Sequence, residues 1–133
     1  MSVQYLLDTN AASYLINKKS AAMDRHLARV PVVELGISAV TEGELHYGAA
    51  RKGSRPLQIT LEQFLLTVTI FAWDSAAARE YGRLRSELER EGRLPGGLDL
   101  MIAAHAMALG VVLVTGDRAF GRIRGLRMED WTK

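Results

Sequence analysis

The stretch Tyr5-Leu6-Leu7-Asp8-Thr9-Asn10 decides how the chain reads. An apolar run that looks buried stops at a carboxylate, and two small polar residues follow. A hydrophobic strand ending on an acid is characteristic of an α/β sheet, where functional groups collect beyond the carboxyl ends of the strands. Val3 to Leu7 is therefore taken as the first strand. Asn10 is placed as the cap of a helix running to about Lys18, with Ala11, Tyr14 and Leu15 toward the core.

Outward from that stretch, helices and strands alternate. A helix from Ser20 to Arg29 is broken by Pro31. A second strand spans Val32 to Ser38, weakened by Gly36. Ser38, or alternatively Thr41, caps a helix through Glu44, Leu45 and Tyr47 to about Arg51. Arg51-Lys52-Gly53-Ser54-Arg55-Pro56 reads as a basic loop. Pro56 then opens a helix carrying Leu61, Phe64 and Leu65.

Val68 to Ala72 is a β-branched strand, and Asp74 caps a long helix with Ala77, Tyr81, Leu84 and Leu88 at helical spacing. Arg83 with Glu87, and Arg85 with Glu89, are spaced to pair along it. A turn from Gly92 to Gly97 leads into a small, apolar helix from Leu98 to Leu109, with a stripe of Leu98, Met101, Ile102, His105 and Leu109. Gly110 ends it. Val111 to Val114 is a buried strand, followed by Thr115-Gly116-Asp117 and a turn carrying Phe120. An edge strand near Leu126 to Met128 precedes Trp131. The pattern predicts a mostly parallel sheet flanked by helices, in a single domain over residues 1–133 with no internal repeat.

Composition narrows the function classes. The chain has 133 residues and no cysteine, which excludes disulfides and thiolate-bound zinc and fits a cytoplasmic protein. No apolar run reaches the ~18 residues a membrane span needs, so no membrane partner is expected. The first residues also lack the basic-then-apolar pattern of a secretory signal. The net charge is only +2. Setting aside Asp8, Glu44, Asp99 and Asp117 leaves 11 acids against 17 bases, 13 of them arginine, which suits a polyanionic substrate or an acidic partner.

Those four acids are the candidate chemistry. Asp8 and Asp117 follow strands, Asp99 starts a helix, and Glu44 lies near the start of another, so all four can face one edge. Clustered carboxylates repel by roughly 1 kcal/mol per 4 Å pair in water and about 4 kcal/mol at an effective dielectric of 20. Bound cations relieve that repulsion. Oxygen ligands without cysteine or a histidine cluster favour Mg²⁺ or Mn²⁺ over zinc. Such a site can activate water for phosphodiester hydrolysis without a histidine base.

Each acid also has a plainer reading: Asp8 or Asp99 as a helix cap, Glu44 as a solvated helix residue in competition with Glu42, Asp117 as turn chemistry. His26, His46 and His105 lack paired ligand spacing. No glycine pattern matches a phosphate-binding loop.

The chain resembles the PIN-domain ribonucleases of the VapC toxin type over nearly its whole length. Leu6–Asn10 resembles the opening motif and Ile37–Ala49 the second, which assigns Glu44 rather than Glu42. Leu98–Gly110 resembles the third motif with Asp99, and Leu113–Trp131 the fourth with Asp117. Gly116 stands where the family often has Asn.

The resemblance implies a PIN-like three-layer fold and a Mg²⁺-dependent endoribonuclease, the toxin of a toxin–antitoxin pair. It also implies a homodimer inhibited by a small cognate antitoxin. Asp8 and Asp99 would be direct metal ligands; Glu44 and Asp117 would hold a second metal or orient water. Thr9, Asn10 and Thr115 would support them, and Arg51, Lys52 and Arg55 would meet RNA phosphate. The Glu44–Gly48 and Gly125–Trp131 stretches look most like members that cut initiator tRNA.

Three rivals remain in view. One is a catalytically silent PIN domain that binds RNA or a partner. The second is a phosphoacceptor receiver domain, which needs paired acids at the first strand and a late lysine. The third is a haloacid-type phosphatase, which needs an acid where Asn10 stands.

Overall fold

The first strand, β1 (Tyr5–Leu7), lies in the middle of the sheet, with its two leucines fully buried on opposite faces. The computed structural model describes residues 3–133. Beside β1, the sheet holds β2 (Leu35–Ser38), β3 (Thr69–Phe71), β4 (Val112–Val114) and β5 (Met128–Glu129) in the order β3-β2-β1-β4-β5. Every neighbouring pair is parallel, so the expected mostly parallel sheet is wholly so.

Six helices cover both faces: α1 (Thr9–Asn17), α2 (Ala21–Leu27), α3 (Ala39–Lys52), α4 (Arg55–Thr67), α5 (Ser75–Arg90) and α6 (Gly97–Leu109). Leu7 packs with Ala11, Leu15, Ile37, Leu45, Leu61 and Trp131 on one face. Leu6 packs with Leu84, Leu100, Ile102, Leu113 and Phe120 on the other. A sheet covered on both sides explains why the strands read as continuous apolar runs. Each fully buried leucine stabilises the fold by about 1.5–3 kcal/mol. Chain order reverses between β1 and β4, which opens a crevice beyond their carboxyl ends.

Several boundaries differ from the sequence reading. Asp8, not Asn10, caps α1: its backbone is extended and its Oδ1 accepts the Ala11 N–H at 2.7 Å. Tyr14 is 40% exposed rather than in the core. Residues Val32–Glu34 form a 3-10 turn, and the strand begins only at Leu35.

Gly36 is required rather than merely weak. A Cβ there would lie 2.8 Å from the Phe71 ring and 3.2 Å from the Thr69 carbonyl. The basic loop is not a loop: Arg51 and Lys52 end α3, Gly53 closes it with φ 62°, and Ser54 caps α4 so that Arg55 is already helical.

Around α6 the buried surface is broader than one stripe. Leu100, Ala103, Ala104 and Ala106 are buried beside Ile102 and His105, whereas Leu98 is exposed. Small alanines let this helix press against its neighbours on several sides. The last strand falls at Met128–Glu129, two residues later than expected, and Trp131 is core.

Candidate active site

Asp8 leaves β1 and enters the crevice while still serving as a helix cap, so the ligand reading and the cap reading of this residue are compatible. Its Oδ1 is committed to the Ala11 amide, and the side chain is 4% exposed. Asp99 stands in the first turn of α6, where the helix dipole favours a negative charge. Asp117 follows β4, caps a 3-10 turn through the Ala119 amide, and is exposed. Glu44 lies on α3, one turn beyond the buried Thr41.

The electrostatics join these four. Burial raises the Asp8 carboxyl above its ordinary range; the Thr115 hydroxyl and Ala11 amide oppose that, and the charges of Asp99 and Asp117 add to it. Burial also raises Asp99, and Asp117 and Glu44 push it further. Asp8 therefore feels Asp99 and Asp117, and Asp99 feels Asp117 and Glu44, which links the four in one row. Glu42 lies outside this row and faces His46 at 3.9 Å on the surface of α3.

Neighbouring hydroxyls hold the row in place. The Thr9 hydroxyl donates to Glu44 Oε1 at 2.5 Å, and the Thr41 hydroxyl lies 3.3 Å from Thr9. Thr115 Oγ1 accepts the Asp117 N–H at 3.0 Å while lying beside Asp8. Asn10 stands between two hollows, one containing Glu44 and Lys52 and the other containing Thr115 and Asp117.

Thr9, Asn10 and Thr115 are thus brought to the site, and so is Lys52 of the expected RNA contacts. Arg55 instead borders an apolar groove with Ile59 and Leu66, and Arg51 is exposed at the end of α3. Thr41 escaped the sequence reading, which weighed it only as a cap; its place one turn before Glu44 is the signal that could have found it.

A set of carboxylates, two of them with pKa raised by burial, is the donor chemistry of a hard divalent cation. Among the described residues no three or more His, Cys, Asp or Glu side chains are grouped so as to hold a metal ion together. An ion of the Mg²⁺ type needs only one or two carboxylates and keeps several waters. Burial disfavours the charged forms of Asp8 and Asp99, and these are the residues that could hold such an ion.

Comparison with known proteins identifies the class. The PIN domain family model matches residues 5–126. The tRNA(fMet)-specific endonuclease VapC of Shigella flexneri is 38% identical, over 98% of this chain and 99% of that protein. Among solved structures, VapBC2 from Rickettsia felis bound to a DNA fragment from their promoter matches with a TM-score of 0.87 at 34% identity, covering 97% of this chain and 99% of that one. DNA-bound VapBC from Salmonella typhimurium matches with a TM-score of 0.86 at 35% identity, covering 97% and 98%.

The chain belongs to the PIN-domain family, within its VapC ribonucleases. Nucleases of this family are generally divalent-metal dependent. No helix among the described residues is long and apolar enough to cross a membrane.

Proposed function

We propose that this protein is the toxin of a toxin–antitoxin pair, an endoribonuclease that hydrolyses RNA phosphodiester bonds at Asp8, Glu44, Asp99 and Asp117. One observation carries the assignment: the pKa values of Asp8 and Asp99 are raised by burial and further by the charges of the other acids at the same sheet edge, in a chain of the VapC kind. A silent PIN domain would have no reason to keep this mutually repulsive row.

Asp8 and Asp99 would hold Mg²⁺, or Mn²⁺ in its place, and Glu44 and Asp117 would hold a second ion or orient water. Such an ion would supply water activation and charge neutralisation at the phosphoryl and leaving oxygens. The protein's own part is positional. Thr9 fixes one Glu44 oxygen, and the Ala11 amide and the Thr115 hydroxyl orient the Asp8 carboxylate. Lys52 offers a cation to substrate phosphate from the neighbouring hollow.

The substrate is RNA, with a tRNA as the favoured target because the Shigella relative is a tRNA(fMet)-specific endonuclease. The protein acts in the cytoplasm as one PIN domain over residues 1–133, as a homodimer. Its inhibitor is a cognate antitoxin, as in the VapBC relatives. The groove between α3 and α4, lined by Ala49, Ile59, Leu61 and the 87% exposed Leu66, is apolar surface of the sort that takes an amphipathic helix.

The test is brief induction followed by mapping of cleaved 5′ ends in total RNA, with Asp8→Asn as the control. New ends at a discrete RNA site that are absent from the control support the reading. Ends shared by both proteins reject it. Cleavage by the purified protein that persists in excess EDTA rejects the metal role.

A further inference from the structure

Beside the acid row the crevice continues into a cavity that hydrolysis does not require. It measures about 420 Å³ and is walled by Asn10, Tyr14, Thr115, Asp117, Asp130 and Trp131. Asn10, Thr115 and Asp117 belong also to the acid site, so whatever fills the cavity lies against the Asp117 end of the acid row. Ligand pockets span roughly 300–1,000 Å³, and this one takes a nucleobase with part of its ribose.

The walls have the two features that single-stranded RNA recognition uses, an aromatic face and a polar edge. Helical spacing directs Tyr14 to the core, yet its ring is 40% exposed and borders the cavity. Trp131 is 2% exposed, stacked on His26 at 5.5 Å and edge-on to Tyr5, so that wall is rigid.

Asp130 lines the same cavity. Its Oδ1 accepts both the N–H and the hydroxyl of Thr132, and these bonds hold its carboxyl below the ordinary range as an ionised acceptor. Both carboxylate oxygens face Gly116: a Cβ there would stand 3.6 Å from Oδ1 and 3.8 Å from Oδ2. With glycine at that position the approach to Asp130 stays open.

We infer that this cavity seats an unpaired base flanking the scissile phosphate, stacked on Tyr14 and read by Asp130 through N–H donors on its Watson–Crick edge. Thr132 already occupies Asp130 Oδ1, so the reading falls to Oδ2. The inference rests on the ribonuclease reading and deepens it: the metal site chooses the bond type, and this cavity chooses the neighbour.

The experiment uses short single-stranded RNAs containing one mapped cleavage bond, with an abasic nucleotide moved through the flanking positions. At one position the abasic substitution lowers wild-type kcat/KM roughly tenfold to a hundredfold, the worth of one stacked base. Tyr14→Ala loses about as much on intact RNA and loses nothing further on that abasic RNA, whereas Tyr14→Phe retains cleavage. Asp130→Asn changes the order of base preference at that position.

Equal cleavage at every abasic position overturns the inference while leaving the ribonuclease reading intact. So does a Tyr14→Ala loss that is undiminished on abasic RNA. Should the wild-type protein cut no RNA, the ribonuclease reading itself fails. Affinity for labelled intact and abasic RNA then decides the cavity's role, and equal affinity overturns the inference.

Discussion

His105 Nδ1 lies 2.8 Å from Ser38 Oγ, and both residues are buried. Ser38 caps α3, the helix that carries Glu44, and His105 is on α6, the helix that carries Asp99. One hydrogen bond therefore ties together two elements that present acids to the same row. Ser38 Oγ also accepts the Val40 N–H, and its bond to the ring runs in either direction according to the imidazole tautomer. The sequence reading of His105 as packed rather than catalytic agrees with this place.

His105→Ala leaves the Ser38 hydroxyl without this partner and opens a void. An unsatisfied buried group costs about 1–3 kcal/mol, and the melting temperature should fall by several degrees. His105→Asn should recover part of the loss. Equal melting temperatures for wild type and His105→Ala would show that the bond contributes nothing.

Acidification acts through the same ring. Burial lowers the His105 pKa below its ordinary 6.5, against a weaker opposing pull from Asp74. Below pH 6.5 the unfolded chain takes up a proton that the folded chain resists, so His105 makes stability fall as pH drops from there toward the lowered value. Comparing melting curves of wild type and His105→Asn across roughly pH 7.5 to 5 isolates this contribution; parallel curves would contradict it.

Asp8→Asn should cut cleavage by at least about a hundredfold, since several kcal/mol of charge stabilisation depends on the ligands of the metal. The fold should persist, because an asparagine oxygen can still accept the Ala11 N–H. Asp99→Asn should likewise lose activity, and in metal-free protein it should melt higher, because it removes a charge that Asp117 and Glu44 oppose. Melting and single-turnover cleavage on the same samples check both; a wild-type cleavage rate in either variant would remove that residue from the site.

Thr9→Val deletes the hydroxyl that bonds Glu44 and neighbours Thr41. Cleavage should fall by about tenfold, equivalent to about 1.4 kcal/mol, through weaker positioning of Glu44 with its charge unchanged. Thr9→Ser should keep most activity. Identical rates for Val and Ser at this position would mean that the hydroxyl is idle.

Lys52→Glu should weaken RNA binding and make the affinity less sensitive to salt, the slope falling by about one for each phosphate that Lys52 neutralises. Arg55→Glu, at the apolar groove rather than the acid hollow, should change the salt slope less. Titrations at several salt concentrations, with every variant also carrying Asp8→Asn, avoid cleavage during the measurement. Equal slopes would reject the distinction.

Local sequence carried much of this protein. Ser38 and Asp74 announce their helices by side chains that can accept an N–H, and the structure uses both of them so. The apolar runs at Leu6–Leu7 and Leu113–Val114 mark strands buried on both faces. The charged pairs on α5 also lie where helical spacing puts them. These features depend on residues within a turn or so of one another, so pattern alone reveals them.

What pattern could not reveal depends on distant partners. Gly36 reads as a flaw until Phe71 and the Thr69 carbonyl close on it from the next strand. Tyr14 reads as core until the cavity leaves its ring exposed, and Arg51–Arg55 reads as loop until two helices meet at Gly53 and Ser54.

By itself the sequence determined the parallel α/β scaffold, the positions of four acids and their order along the chain, because strand and helix periodicity are local. Only the tertiary structure decided that Asp8 caps a helix while feeling the charge of Asp99, that Thr9 reaches Glu44, and that a base-sized cavity opens beside Asp117. Those relationships come from strands brought side by side across long stretches of chain, where packing rather than local preference sets the distances.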